Sequence, residues 1–558
     1  MNIAVIATAS LDDPLYYLRN ARQVITLCLN QYADLLLSDE IQQLEDLLAL
    51  EEPTQALLIR MVMRKGSLFR QDNLNYSEVP ERDAAIRQLV ATGLVDDKPA
   101  LSIQALGDVC RREECRLLAN QLLPEHTLAA SCRKSDALGR LLEHFADEAP
   151  KRLRDWWPDA PFDVLEIRCT TLFDRLRLMF FGNLYQSWSE FVLTELGLQR
   201  FEPVSLTPAS RPFQRRAEVD LYLALQQLRD RVALGESIEE VCQALPAPIE
   251  CDWINYRRQK VLFQIGREAE RQQQIEQALN LYRQSQHREA QLRTLRLLEK
   301  REPAEHVFTL ATKAYEQISQ PEIRIGLQRI LKRSARKAGL DYLAPKPFEV
   351  PLDTLTLVKP AFHRVESAVI EALSDTDTRL FHVENHLFTG LFALLFWPAL
   401  YAPVRGAFFN PFQPGPADLF RPGFADARTM WIEAGFDQLR TGRYQATILE
   451  RLEQKRGISC SLIYWPSLTF ELVKSALDII PAAHLEAVFR HLLLDLRHHR
   501  RGLPDLIALN HNAARYRLIE VKGPGDRLQD SQRLWMQAML AHSMPVSVLH
   551  VRWSEANS

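Results

Sequence analysis

The chain has 558 residues, with 68 lysines and arginines against 71 aspartates and glutamates, and a net charge of −3. That length implies more than one domain, and a hydrophobic content of 47% is ample for packed cores and excludes a disordered chain. The near-neutral balance excludes a uniformly basic nucleic-acid coat, so any nucleic-acid surface must be a local patch.

Glycine is sparse, at 20 residues, and Leu, Ala, Arg, Glu and Gln dominate, so helix should prevail. Eight cysteines are scattered from Cys28 to Cys460 with no C-x-x-C pair. This argues against a zinc finger or disulfide framework and for a reducing compartment. Met1 to Ser10 has no basic flank and runs into Asp12-Asp13, so it does not read as a signal peptide. The most apolar later stretch, Leu387 to Leu400, is too short to span a bilayer and contains Pro398. A soluble cytoplasmic protein with no membrane partner is expected.

Tyr16 to Leu50 has helical apolar spacing broken at Leu37-Ser38-Asp39, where Ser38 or Asp39 can cap a second helix. Thr54 to Met63 reads as a third helix. A basic turn, Arg64-Lys65-Gly66-Ser67-Leu68-Phe69-Arg70, and an extended Leu74-Asn75-Tyr76 follow. Pro80 to Thr92 is helical and closes on Gly93-Leu94-Val95. Helix, basic turn and helix resemble a winged-helix arrangement over residues 1–95. Arg60, Arg64, Lys65 and Arg70 are its candidate phosphate contacts, against an ordinary solvated turn. Leu101 to Leu118 and Lys134 to Phe145 read as two helices across an extended connection. They resemble a SAP-like module within residues 96–210, with Lys134 at the start of its second helix as a candidate DNA contact.

Trp156-Trp157-Pro158 marks a boundary, and Arg177 to Arg200 reads as an apolar helix joining modules. Thr207 to Arg216 is a linker. Residues 211–345 form the next segment, in which Asp252 to Gly339 is almost continuously helical. Gly266-Arg267-Glu268-Ala269 and Ala278-Leu279-Asn280-Leu281-Tyr282 have the spacing of a TPR-like helical hairpin. Its basic end, Arg324 to Lys337, is read equally well as a solvated face. Pro345-Lys346-Pro347, with Pro351, is the cleanest linker, and a catalytic domain over residues 346–558 is expected beyond it.

In that last segment Val365 to Leu373 and Glu384 to Trp397 read as helices. Glu384 could be a site carboxylate or simply favour a helix N-terminus. Gly406 to Phe420 is a Pro-Gly-rich loop able to cover a site. Arg490 to Arg501 sets Arg497, Arg500 and Arg501, with several histidines, against one acid, Asp495, as a phosphate path. From Gly502 the chain reads GLPDLIALNHNAARYRLIEVKGPGDRLQDSQRLWMQAMLAH. Pro504 to Leu509 and Tyr516 to Val521 are β-prone runs, and Asn510 to Arg515 turns between them. If the loop centres between Asn512 and Ala513, Asp505 faces Glu520. Directly opposed residues have Cβ atoms about 5 Å apart. Like charges there repel, so a purely structural hairpin should avoid the pair, and a divalent cation between them turns repulsion into a binding site. Lys522 shares the face of Glu520, and Val521 between them points into the core. Asp505, Glu520, the Val521 carbonyl and water make an oxygen-only shell suited to Mg²⁺ or Mn²⁺.

Asp505 followed by Glu520-Val521-Lys522 is the PD-(D/E)-x-K nuclease pattern. With Gly523-Pro524-Gly525-Asp526 and a following helix bearing Gln532, it resembles the VRR-type nuclease domain. The Tyr16-Tyr17-Leu18 opening, Arg64-Lys65-Gly66, Glu195-Leu196-Gly197, Gly266-Arg267-Glu268, His382-Val383-Glu384-Asn385 and the Gly406 to Pro411 run stand in the same order as in the Fanconi-associated nuclease family. The chain as a whole resembles that family in its bacterial form. The resemblance implies a mainly α multidomain protein: helical DNA-binding modules and a TPR-like array, then an α/β restriction-endonuclease-like domain. It implies hydrolysis of phosphodiester bonds in 5′-flap and branched DNA, 5′ to 3′ exonuclease activity and a role in interstrand crosslink repair. It also assigns Glu384 to the catalytic and metal set with Asp505, Glu520, Lys522 and the Val521 carbonyl. Pro398 departs from the family pattern and should kink that helix. No zinc-finger cysteines precede the first module, so ubiquitin binding is not expected. A monomer gripping several DNA arms is the expected state, and a non-catalytic scaffold for branched DNA is the alternative.

Overall fold

The structure, a computed structural model, describes residues 14–186, 199–318, 320–343, 349–358 and 364–554. The expectations for Glu195-Leu196-Gly197 and Pro345-Lys346-Pro347 lie outside them. The chain divides into two units, Met1–Leu198 and Gln199–Ser558.

In the first unit, helix Tyr16–Tyr32 buries Tyr17, Leu18, Ala21, Val24, Ile25 and Cys28. That spacing lays one apolar stripe along the helix. The Cys28 thiol donates to the Leu176 carbonyl at 3.7 Å, tying it to helix Thr170–Phe181. Helix Ser38–Ala49 begins as the break at Leu37 predicts, but Ser38 and Asp39 do not cap it. Glu40 does, its carboxylate accepting the Leu37 amide at 2.9 Å. Helices Glu52–Val62 and Arg82–Ala91 flank the basic turn.

Strands β1 (Leu68–Arg70), β2 (Val95–Asp96), β3 (Ala100–Leu101), β4 (Lys151–Arg152) and β5 (Val164–Ile167) make two small sheets. The first has the order β1-β5-β2 and is antiparallel, while β3 pairs with β4. A strand from well beyond residue 96 therefore sits between the two strands of the first module. Leu101 to Leu118 is two helices rather than one, Ile103–Val109 and Arg112–Leu122. The Ser102 hydroxyl accepts the Ala105 amide at 3.2 Å to start the first. Glu114 accepts the Arg111 amide at 2.6 Å to start the second, so the extended backbone at Cys110-Arg111 cannot be helical. Helix Thr170–Phe181 ends at Gly182, where φ is +71°, so the apolar helix expected over Arg177 to Arg200 is already broken there. Residues 187–198 of that expectation lie outside the described part.

The second unit carries helices Asp252–Arg271, Ile275–Gln284, Ala290–Leu298, Ala304–Gln317 and Pro321–Ala338, packed in succession. Gly266 lets the first two close: a Cβ there would stand 2.8 Å from the Tyr282 ring. The Tyr282 hydroxyl donates to Glu270 at 2.6 Å, so its polar end is satisfied.

The second unit's sheet has β6 (Leu352–Val358), β7 (Thr378–His382), β8 (Leu506–Asn510), β9 (Arg515–Lys522) and β10 (Val546–Ser554) in the order β6-β10-β9-β8-β7. β10 is parallel to β6 and β9, and β8 is antiparallel to β9 and β7. Alternate residues serve opposite faces. Ile507, Leu509 and Leu518 enter the main core with Trp535 and Met536. Leu506, Ala508, Ile519 and Val521 enter a smaller one with Val369 of helix Val365–Leu373. Both faces are covered, which is why these strands read as apolar runs. The helix expected over Glu384 to Trp397 is shorter: Leu387–Leu395, then a separate turn Trp397–Leu400 at Pro398. The break expected at Pro398 is present.

Candidate active site

The hairpin pairs Leu506 with Ile519 and Asn510 with Arg515. Continued by one residue, that register sets Asp505 opposite Glu520, as the turn-centred reading predicts. The Val521 amide donates to Asp505 Oδ2 at 2.8 Å. The Asp505 carbonyl accepts the amides of Val383 at 2.8 Å and Glu384 at 3.2 Å. One aspartate thus joins β8 to β9 through its side chain and to the end of β7 through its backbone.

Glu520 is fully buried. Its Oε1 accepts Lys522 Nζ at 2.7 Å and Gln532 Nε2 at 2.5 Å. Its Oε2 is buried with no hydrogen-bond partner. Burial first, and then the Asp505 charge, raises the Glu520 carboxyl above the ordinary carboxylate range. Burial first, with Glu384 adding to it, raises Asp505 as well, although the Val521 amide pulls the other way. Two buried carboxylates that resist ionising together, one with a bare oxygen, are relieved by a cation between them. The donor set is oxygen only, so the residues fit Mg²⁺ or Mn²⁺.

Glu384 lies in the turn before helix Leu387–Leu395, not on the helix. Asn385, with φ at +53°, makes the turn sharp, and its Oδ1 accepts the Leu503 amide at 3.3 Å. The Glu384 backbone is therefore held at Asp505 while its side chain stays half exposed, 3.9 Å from His382 and 3.1 Å from Asn385 Nδ2. Among the described residues no group of three or more His, Cys, Asp or Glu side chains is gathered to hold a metal alone. The buried core of the site is the Asp505–Glu520 pair, with Glu384 at its rim.

The expected DNA contacts fare unequally. Arg64 and Lys65 are exposed on the basic turn, Arg64 lying 5.5 Å from the Phe69 ring centre. Arg70 is buried, ion-paired with Asp72 and Glu114 and packed on Phe162. Arg60 pairs with Glu78 at 2.6 Å and lies on Tyr17. These two arginines hold the module together. Lys134 donates to the Asp108 carbonyl at 2.9 Å, which satisfies the end of helix Ile103–Val109. In the Arg490 to Arg501 run, His499 is buried against Glu322, and His498 joins Asp495 and Arg288. Arg497 and Arg501 are exposed, and Arg500 packs on Phe420. The Gly406 to Phe420 loop packs on other partners than the carboxylates: Phe409 meets Phe213 and Trp253, and Phe408 stacks on Tyr401.

Sequence reading missed a cavity of about 800 Å³ lined by Tyr256, Lys260, Arg288, Arg421, Arg497 and His498 among others. Partial desolvation, and then repulsion from Arg497, Arg229, Arg257 and Arg421, lowers the Lys260 ammonium below the usual lysine range. The lining also carries Glu289, Asp426, Glu433 and Asp495, the last paired with Arg288 at 2.6 Å, so Lys260, Arg421 and Arg497 make up the cationic side of a mixed cavity. The run Arg257-Arg258-Gln259-Lys260 was the visible signal for it.

The family model described as the VRR-NUC domain matches residues 439–553, and that described as the FAN1 HTH domain matches residues 15–96. Glu384 lies outside both matches. The chain is 42% identical to the Fanconi-associated nuclease 1 homolog of Pseudomonas aeruginosa over 98% of each chain. It is 24% identical to the homolog from Arabidopsis thaliana over 96% of this chain and 67% of that protein. The human Fanconi-associated nuclease 1 is 30% identical over 30% of this chain and 17% of that protein. Two solved structures, paFAN1 bound to 5′-flap DNA with a gap and a flap of two nucleotides or of one, match at a TM-score of 0.85 and 42% identity. Each match covers 98% of this chain and all of the solved one.

Proposed function

Since the chain belongs to the Fanconi-associated nuclease family, a family of structure-selective DNA nucleases, we propose that it cuts 5′ flaps and branched DNA. It then degrades from the 5′ side and serves interstrand crosslink repair. The observation that carries this reading is the buried Asp505–Glu520 pair with Lys522, in a chain alike over 98% of its length to a protein solved on 5′-flap DNA.

Asp505, Glu520 through its bare Oε2 and the Val521 carbonyl are the residues that would hold Mg²⁺ or Mn²⁺, with Glu384 completing the shell from the turn. A bound ion would supply Lewis acidity toward water and would neutralise charge building on the scissile phosphate. Lys522 keeps one ammonium hydrogen on Glu520 Oε1 and has two more donors. It orients the attacking water and stabilises the crowded phosphorus centre. Arg64 and Lys65 contact duplex phosphates, and so do Arg497, Arg500 and Arg501 in the segment that leads into Asp505. The side of the cavity formed by Lys260, Arg421 and Arg497 takes a further DNA phosphate. The test is incubation with 5′-flap, 3′-flap, Holliday-junction and linear DNA, with Mg²⁺, with Mn²⁺ and with neither, mapping cuts on both strands. Cutting of the 5′-flap and branched substrates, degradation from 5′ ends and little cutting of the 3′ flap are expected, all dependent on the metal. Equal cutting of 3′ flaps, or metal-independent cutting, would overturn the reading, and binding without cutting would leave a scaffold.

Two further results are expected. Glu384→Gln keeps size and most hydrogen bonding, so it should melt like the parent and cut at least about tenfold more slowly, since a metal-shell carboxylate supports several kcal/mol of charge stabilisation. Raised Mn²⁺ should restore part of the rate by mass action. A residue serving only the helix end would contribute about 0.3–1 kcal/mol to stability and nothing to the rate. Paired measurement of melting and flap cleavage separates the two. Neutralising Arg64 and Lys65 together should weaken DNA binding and flatten its salt dependence by about 0.9 log units for each phosphate left without its cation. An unchanged slope would place the duplex elsewhere.

A further inference from the structure

Helix Asp530–Ala541 reaches β9 and the segment that leads into β8 through side chains that carry no assigned role. Gln532 is its third residue. Its Oε1 accepts the Gln529 amide at 3.0 Å, which closes the first turn, and its Nε2 donates to Glu520 Oε1 at 2.5 Å. One amide therefore caps the helix and holds a buried carboxylate. Three residues on, Trp535 Nε1 donates to the carbonyls of His499 at 2.9 Å and Arg501 at 3.1 Å, the segment that leads into Asp505. Between them Gly502, with φ at +86°, lies against the first turn, where a Cβ would stand 2.9 Å from the Ser531 carbonyl carbon. The same turn thus grips the β9 carboxylate on one side and the approach to β8 on the other.

We propose that this turn is the bracket that sets the separation and orientation of Asp505 and Glu520, and that Gln532 is a positioning residue for the metal ligand Glu520. Glu520 is fully buried and its two oxygens are unequal. Oε1 is filled by Gln532 and Lys522, while Oε2 has no partner. Two donors on one oxygen stop the carboxylate from turning about its axis, so the other oxygen stays aimed at the shared site. An unheld carboxylate would have to be ordered each time an ion binds, and outer hydrogen bonds of this kind are worth about 10–100-fold in metal affinity. The inference rests on Glu520 being a ligand, as proposed above.

Gln532→Glu separates capping from positioning. Glutamate at this helix position still accepts the Gln529 amide, so the cap survives, but it has no N–H for Glu520. Mn²⁺ binding by the full-length protein without DNA, followed by calorimetry, is the primary readout, with melting temperature and flap cleavage on the same preparations. Gln532→Glu should keep its cap but melt somewhat lower without metal, because a third carboxylate joins the buried pair, bind Mn²⁺ at least about tenfold more weakly and need correspondingly more Mn²⁺ for half-maximal cutting. Gln532→Met loses both bonds, so it should share the weaker binding and also melt lower. Parent-like Mn²⁺ affinity in either variant overturns the proposal, and so does tighter binding in Gln532→Glu, where the new carboxylate would act as a ligand. Glu520→Gln is run alongside. If it abolishes Mn²⁺ binding while the Gln532 variants bind normally, the ligand assignment stands and only the positioning role falls. If Glu520→Gln binds normally, both fall.

Discussion

Asp505→Ala is expected to lose turnover at least about a hundredfold, because a metal-holding carboxylate supports several kcal/mol of charge stabilisation in the transition state. Flap affinity should stay close to the parent's, since the groups proposed to bind phosphate lie elsewhere. Folding is the complication. The Val521 amide would lose its acceptor, at about 1–3 kcal/mol for a buried donor left unpaired. Against that, removing Asp505 takes away the charge that raises Glu520, which offsets part of the loss. Asp505→Asn is the cleaner variant. Its carbonyl oxygen can still accept the Val521 amide, so stability should hold, while the charge needed for the ion is gone. Single-turnover cleavage, flap binding in Ca²⁺ and melting on both variants decide the matter. If Asp505→Asn cuts at the parent rate, Asp505 is a structural hydrogen-bond acceptor and the metal lies elsewhere.

Arg428→Ala should destabilise the second unit by about 3–5 kcal/mol, the usual cost of breaking a buried ion pair. Arg428 is completely buried. Its guanidinium meets both oxygens of Asp418, at 2.7 and 2.9 Å, and its Nε donates to the Ala399 carbonyl at 2.9 Å. It also lies 4.3 Å from the Phe424 ring centre. The residue thus binds the end of the Trp397–Leu400 turn to the Pro-Gly-rich loop and to helix Thr429–Arg440. Truncation leaves a cavity, an unpaired acid and an unpaired carbonyl together. Asp418 keeps some solvent contact, which places the loss toward the lower end of the range. Arg428→Lys, lacking the fork, should recover only part. Urea unfolding of the full chain reads the effect. A shift below about 1 kcal/mol, the size of an exposed pair, would mean that water reaches the site.

Much of the proposed catalytic centre was legible because β-structure is local arithmetic. Once the turn at Asn512 and Ala513 is placed, the period of two decides which residues face each other and which side chains share a face. The apposition of Asp505 and Glu520, and of Lys522 with Glu520, follows from that alone. The Asp252 to Gly339 helices were legible for the same reason, with Gly266 marking where two helices close on Tyr282. Chemistry that depends on one stretch of chain is written in that stretch.

What sequence by itself could not determine is which charges are already spent. Arg70 and Arg64 read alike in one basic turn, yet Glu114, 44 residues further on, neutralises Arg70 and buries it. Apolar spacing also ran the helix back to Glu384, but the Asp505 carbonyl takes the Val383 and Glu384 amides and holds that segment as a turn. Strand β5 enters between β1 and β2 from 68 residues beyond the end of β2, and the cavity beside Lys260 draws on segments near 260, 288, 421 and 497. The sequence determined the ladder, the helices and the metal-competent pair, because neighbours along the chain set backbone period and side-chain direction. Only the tertiary structure decided which cations remain free and how Glu520 is aimed, because an ion pair or a buried hydrogen bond depends on distance in space, which the folded core alone sets.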